Sequence, residues 1–272
     1  MKQKILGTFL GKLALVVRDK CEIIRTSFIN IENLGTISND QMATFLVTRL
    51  CKPNKIFVDI GAHIGSIISS VAYHDSTINI IAVEAMPDKA LDLRRKFPSV
   101  DVYECAVGEP DKEEETVSFY VNTNQSGYSS LGKPNKKDKS SFVEITVPLI
   151  KLDKLVPSKD IDIIKIDVEG AELGVLRGSI NTLNTNRPVV MFESGPIKYD
   201  GLEYTKEDMW DFLKENDYGV YVPNRVAHNG IELSKDGFIE SHLYPRRTTN
   251  YFAIPVERRI EIRDRARKLL HI

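Results

Sequence analysis

The chain has 272 residues, 42% of them hydrophobic and 28% charged, with a formal net charge of -1. That composition is of an ordinary globular protein and excludes a disordered, collagen-like or strongly basic nucleic-acid-binding chain. Cys21, Cys51 and Cys105 have no CxxC spacing, which excludes a disulfide framework or a cysteine-based zinc site and fits a reducing, cytoplasmic setting.

The first residues are basic, and residues 5–17 are largely apolar but interrupted by Lys12. The run is too short to cross a bilayer and lacks a clean small-residue cleavage site. It reads as an amphipathic helix packing on the domain. Weak membrane-surface association or a homodimer through it are the alternative uses. Helical pattern continues to residue 49, with a break near Asn33-Leu34-Gly35 and a turn over residues 36–39 capped by Ser38 or Asn39. Residues 1–50 are therefore expected to form an N-terminal helical extension.

From Lys55 onward, short β-branched runs alternate with helical stretches. Strands are expected over 55–60, 78–83, 100–107, 161–166, 188–192, 218–222 and 251–254. Helices are expected over 65–73, 87–97, 171–177 and 206–215. This alternation predicts a doubly wound α/β fold with a mostly parallel sheet over residues 51–256. Two further strands, 116–121 and 142–148, fall outside it and flank a polar segment, 122–141. Its length and composition suit an acceptor-binding lid. Residues 257–272 read as a basic, solvated amphipathic helix.

Four strand ends carry the chemistry. Phe57-Val58-Asp59-Ile60-Gly61-Ala62-His63-Ile64-Gly65 is an apolar strand running through D-x-G-x-x-x-G into a helix. Gly61 permits a tight turn and close ligand approach, and Gly65 close helix packing. Asp59 stands where the dinucleotide fingerprint has its first glycine. An acid there repels a pyrophosphate and suits an ammonium group. Glu84 ends the next strand about twenty residues on, the place of a ribose-binding acid. In Ile163-Ile164-Lys165-Ile166-Asp167-Val168-Glu169-Gly170-Ala171-Glu172, Lys165 and Asp167 share a face. A buried lysine needs an acid partner, Asp167 or a neighbour. Glu193 ends Val189-Val190-Met191-Phe192. A strand order of 3-2-1-4-5 gathers all four acids at one sheet edge, where a cationic sulfonium and ribose hydroxyls fit better than phosphates.

These motifs, with Val83-Glu84-Ala85-Met86-Pro87, Cys105-Ala106-Val107-Gly108, Val175-Leu176-Arg177-Gly178 and Arg187-Pro188-Val189-Val190-Met191-Phe192-Glu193, resemble the FkbM family of S-adenosylmethionine-dependent methyltransferases. The resemblance covers about residues 55–193, with a weaker echo at 250–255. It implies a class I (Rossmann-like) methyltransferase fold and transfer from S-adenosylmethionine to a hydroxyl of a sugar, glycan or natural product. On this resemblance Asp59, Gly61 and Gly65 line the methionine end of the cofactor. Glu84, with Ala85 beside it, holds the ribose, Ala106 lies by the adenine, and Asp167 is close to the reacting centre. The family often has Asn where this chain has His63, which adds a candidate base to the cofactor contact.

A hydroxyl acceptor must lose a proton, so a general base is required. The candidates are Asp167, Glu169 and His63, with Glu193 next. Tyr128 and Ser129 in the polar segment, and Glu193, are the candidate acceptor contacts. Clustered carboxylates could also hold Mg²⁺, but pairing with Lys165 competes and a metal is not favoured. The cluster Lys136-Lys137-Asp138-Lys139 and the pair Arg246-Arg247 either meet an anionic acceptor or are solvated charge. His228, His242 and His271 have no evident partner. The rival functions are an N-methyltransferase, a NAD(P)-dependent oxidoreductase and a non-catalytic cofactor-binding protein.

Overall fold

The computed structural model describes residues 9–110, 115–134, 141–157, 160–195 and 204–272. In chain order the elements are α1 (Phe9–Ile29), α2 (Leu34–Leu50), β1 (Ile56–Ile60), α3 (Ser66–His74), β2 (Asn79–Val83), α4 (Pro87–Lys96), β3 (Asp101–Tyr103), β4 (Ala106–Val107), β5 (Glu115–Asn122), β6 (Phe142–Ile150), α5 (Leu152–Leu155), β7 (Ile161–Ile166), α6 (Glu172–Arg177), α7 (Ile180–Asn186), β8 (Val189–Glu193), α8 (Lys206–Glu215), β9 (Tyr218–Tyr221), α9 (Lys235–Glu240), β10 (Asn250–Pro255) and α10 (Arg259–Leu270).

The main sheet has seven strands in the order β3-β2-β1-β7-β8-β10-β9. β1, β2, β3, β7 and β8 pair in parallel, and β10 runs antiparallel to both of its neighbours. The expected 3-2-1-4-5 order is present. Its central strands are apolar runs because helices cover both faces. All six residues of β7 are buried. One face packs on α6, α7 and α8 through Val58, Ile164, Leu173, Leu183 and Leu213. The other packs on α2, α3 and α10 through Leu46, Phe57, Ile68, Ile163 and Ile262.

Three expectations are corrected. The strand expected over 100–107 breaks at Glu104-Cys105: β3 stays in the main sheet, while β4 joins β6 and β5 in a second, three-stranded sheet. The buried Cys105 lies at this crossing point between the two sheets. The turn at 36–39 does not exist. α2 already starts at Leu34, and Ser38 and Asn39 lie inside it. Asn39 Nδ2 donates to the Arg247 carbonyl at 2.7 Å, so this side chain ties α2 to a distant loop rather than capping it. α10 is not wholly solvated, because Ile262 and Ala266 are fully buried against the core.

Within the N-terminal helices, α2 buries Ala43, Leu46, Val47 and Leu50 in the main core. α1 rides on α2 and leaves Val16, Val17, Ile24, Phe28 and Ile29 exposed. No helix among the described residues is long and apolar enough to cross a membrane.

Candidate active site

A cavity of about 420 Å³ opens at the carboxyl ends of β1, β2 and β7, and its wall includes Gly61, His63, Glu84, Ala85, Ala106, Tyr128, Ser129, Asp167, Glu169 and Glu193. This is the switch point of a doubly wound sheet, where chains leaving adjacent strands turn to opposite sides. The volume falls in the range of small-molecule sites.

The loop after β1 is shaped by two glycines. Gly61 has φ +77°, and a Cβ there would meet the Asp167 carbonyl oxygen at 1.8 Å. The loop therefore presses directly on the end of β7. Gly65, at φ +84°, heads α3, and a Cβ on it would strike the Phe97 ring and Leu93. Gly61 lines the cavity. Gly65 does not: its job is helix packing behind the wall.

Asp59 also departs from its expected place. It is fully buried and absent from the cavity wall. It lies opposite Lys165 in the β1–β7 register, with Lys165 Nζ 3.0 Å from Asp59 Oδ1. The same ammonium donates to the Gly61 carbonyl at 2.8 Å and lies 3.5 Å from Asp167 Oδ2. Burial pushes the Asp59 pKa up, against the pull of Lys165. Burial alone would lower the Lys165 pKa, but Asp59 and Asp167 hold it above its ordinary value. Asp59 thus anchors Lys165, which braces both the Gly61 loop and the Asp167 carboxylate, and it stands behind the cavity wall rather than in it.

Glu84 does face the cavity. Its Oε2 accepts the His63 backbone N–H at 2.7 Å and its Oε1 accepts the Met86 N–H at 2.9 Å. Burial raises its pKa and these two bonds oppose the rise. Each oxygen keeps a lone pair for a further donor. His63, at φ +49°, holds Ser126 Oγ at 2.8 Å through Nε2. Burial, then Lys89, lowers its pKa, so it is neutral at neutral pH.

Within the polar segment, Ser126, Gly127, Tyr128, Ser129 and Leu131 line this cavity. Ser130 Oγ donates to the Glu169 carbonyl at 2.8 Å. Ser129 Oγ donates to the Ser126 carbonyl at 2.8 Å and accepts the Asn122 N–H at 3.0 Å. Ser129 is therefore a brace within the loop. The cluster Lys136-Lys137-Asp138-Lys139 lies outside the described residues.

The Asp167 and Glu193 carboxyls lie side by side, with oxygens within 4.8 Å of each other. Burial opposes ionisation of Asp167, but Lys165 and Glu193 outweigh it and hold the Asp167 pKa below the usual carboxylate range. Burial, then the Asp167 charge, pushes Glu193 far above that range. Glu193 is thus the proton carrier and Asp167 the carboxylate. With Glu169, the three offer oxygens within 4.8 Å of one another.

The family model described as the methyltransferase FkbM domain matches residues 59–220, from the β1 acid through β9. The chain belongs to the FkbM methyltransferase family. No curated protein matches it. Among solved structures, it is similar to methyltransferase FkbM from Methylobacillus flagellatus KT, with 15% identity and a TM-score of 0.44. That match covers 74% of this chain and 43% of the other, so the chain spans under half of that relative's length. Aeropyrum pernix fibrillarin, solved with natively bound S-adenosyl-L-methionine, matches at 10% identity and a TM-score of 0.41, covering 79% and 74% of the two chains. A TehB-like S-adenosylmethionine-dependent methyltransferase from Corynebacterium glutamicum matches at 10% identity and a TM-score of 0.40, covering 78% and 85%.

A second cavity, about 200 Å³, abuts the first across Tyr128, Glu169 and Glu193. Its remaining wall includes Glu172, Ser194, Tyr204, Thr205, Lys206, Arg246 and Thr249. Glu172 is buried; it accepts the Val168 and Gly170 N–H groups at 3.2 and 3.1 Å, and burial raises its pKa to about 7. Ser194 is paired with His242, 48 residues away and unmarked by any sequence pattern. His242 Nε2 lies 2.8 Å from Ser194 Oγ and Nδ1 2.7 Å from the Phe238 carbonyl. A carbonyl only accepts, so Nδ1 carries the proton and Nε2 accepts from Ser194. Burial, then Lys206, pushes the His242 pKa down to about 4, and the ring stacks on Tyr251. The Ser194 oxygen therefore offers only lone pairs to the second cavity.

Proposed function

We propose that this FkbM methyltransferase transfers the methyl group of S-adenosylmethionine to a hydroxyl group of a small molecule or glycan, with Asp167 as the general base. The carrying observation is the Asp167 carboxylate, 3.5 Å from Lys165 Nζ, on the wall of the larger cavity beside Glu169 and Glu193, which border the smaller one.

The larger cavity suits the cofactor. Its donor set fits the group: the buried Glu84 carboxylate has lone pairs for ribose hydroxyls, and Ala85, Met86, Ala106 and Phe119 give an apolar wall for adenine. Gly61 and His63 are the residues for the methionine end, with Asp59 acting behind them through Lys165. S-adenosylmethionine, when bound, supplies an electrophilic methyl carbon on a sulfonium. The chain's part is to hold the acceptor oxygen near attack distance, which lowers the barrier by several kcal/mol, and to take its proton at the Asp167 carboxylate. Lys165, 3.5 Å away, positions the Asp167 carboxylate. An amine acceptor carries its own lone pair and needs no such base, which is why the reading favours oxygen.

The smaller cavity is assigned to the acceptor. Ser194 would accept a hydrogen bond from one of its hydroxyls, and Tyr128 lines both chambers. Titration calorimetry with S-adenosylhomocysteine, with NAD as control, tests the cofactor assignment. Micromolar binding of the first and none of the second is the expected result. Product analysis after incubation with labelled S-adenosylmethionine and parallel panels of hydroxyl and amine acceptors tests the rest; methylation confined to amines would overturn the hydroxyl assignment.

A further inference from the structure

We infer that the acceptor carries an anionic group, a phosphate or a carboxylate, which Lys206 and Arg246 bind at the end of the smaller cavity remote from the reacting centre. This rests on the assignment of that cavity to the acceptor.

The walls of the cavity are polarised. Tyr128, Glu169 and Glu193, which it shares with the larger cavity, form one end. Lys206 and Arg246 belong to the smaller cavity alone. Glu172 and Glu207 both act on Lys206, but Glu172 is bound to two backbone N–H groups and Glu207 is exposed to solvent.

The two cations are half-buried and close enough to repel one another: burial, then Arg246, lowers the Lys206 pKa. Lys206 Nζ donates to the Gly195 carbonyl at 2.7 Å, which leaves two of its three donors for another group. Among the described residues, no carboxylate forms an ion pair with either side chain, and the Arg246 guanidinium has no hydrogen-bond acceptor. Its backbone is fixed, because its carbonyl accepts from Thr36 Oγ1 of α2. Two half-buried cations lining one concave wall, neither ion-paired among the described residues, are stabilised by an anion placed between them. A guanidinium fork beside an ammonium suits a phosphate or a carboxylate.

The test uses the full-length ¹⁵N-labelled protein saturated with S-adenosylhomocysteine. Inorganic phosphate and, separately, acetate are titrated in. The readout is the arginine Nε–H signals and the backbone amides of Ser194, Gly195 and Thr249. Saturating shifts at millimolar concentration are expected, with the tighter probe identifying the class of anion. Arg246→Gln and Lys206→Gln should each weaken binding by about ten-fold, the worth of a charge-assisted hydrogen bond, and the double variant should abolish it. S-adenosylhomocysteine affinity should stay at the wild-type level in all three variants, which also reports that they fold. Absence of saturating shifts with both probes, or equal binding by the double variant, overturns the inference. Failure of S-adenosylhomocysteine to bind would instead count against the cofactor assignment, and phosphate titration of the unliganded protein still reads the smaller cavity.

Discussion

Glu193 and Asp167 bring carboxyl oxygens within 4.8 Å of each other at the ends of the adjacent parallel strands β7 and β8, and burial with the Asp167 charge pushes the Glu193 pKa up to about 10. The raised Glu193 pKa means that the folded protein holds a proton the unfolded chain releases above about pH 4.3. Its contribution to stability is complete below that pH and is lost as pH rises toward the folded value. Wild-type melting temperature should therefore fall between pH 6 and pH 9 more steeply than that of Glu193→Gln, whose amide keeps a donor toward Asp167 without titrating. Thermal melts at both pH values decide it; parallel slopes would mean Glu193 is ionised in the folded state.

Asp167→Asn removes the base and little of the cofactor contact. Turnover should drop by about 10²–10⁴-fold, the usual worth of a general base, while S-adenosylhomocysteine affinity stays near wild type. Single-turnover kinetics with a hydroxyl acceptor, alongside calorimetry, measure both quantities. Unchanged turnover would place the base elsewhere, with Glu169 next in line because it lines both cavities.

Glu84→Gln keeps the size of the side chain but loses its charge and one acceptor oxygen. Replacing a charged acceptor by an amide should weaken S-adenosylhomocysteine binding by about ten-fold or more, or roughly 1.4 kcal/mol. A companion titration with S-adenosylhomocysteine lacking both ribose hydroxyls should show no difference between variant and wild type. Equal affinity of variant and wild type for the intact ligand would remove Glu84 from the ribose position.

The parallel core was legible because strands buried on both faces read as unbroken apolar runs, and β7 and α8 fall where the pattern puts them. The acids at strand ends were legible for the same reason, since each interrupts such a run. What a strand-end acid touches was not. Asp59 and Glu84 look alike in sequence, yet one is sealed under Lys165 and the other opens on the cavity, a difference set by the register of β1 against β7. The break between β3 and β4 depends on which sheet each half joins, and no local signal records it. Ser194 with His242, and Ser126 with His63, are pairs brought together over 48 and 63 residues. Lys206 had no mark beyond its place in the first turn of a helix.

Lys165 is the test of whether the acid cluster acts as a unit. It is buried and sits 3.0 Å from Asp59 and 3.5 Å from Asp167. Lys165→Met leaves the Asp59 carboxyl buried without its cation, which should cost about 3–5 kcal/mol. Asp59→Asn is milder, because Lys165 keeps Asp167 and the Gly61 carbonyl. The double change Asp59→Leu with Lys165→Met removes both buried charges together and should cost less than Lys165→Met alone, a non-additivity that urea denaturation measures. Activity supplies an independent check. Lys165 is what holds the Asp167 pKa down against burial, so in its absence that pKa rises and the acid limb of the pH–rate profile moves to higher pH. If Lys165→Met still folds and its acid limb stays at the wild-type pH, the lysine is a structural brace for the Gly61 loop and Asp167 is not the group whose ionisation limits the reaction.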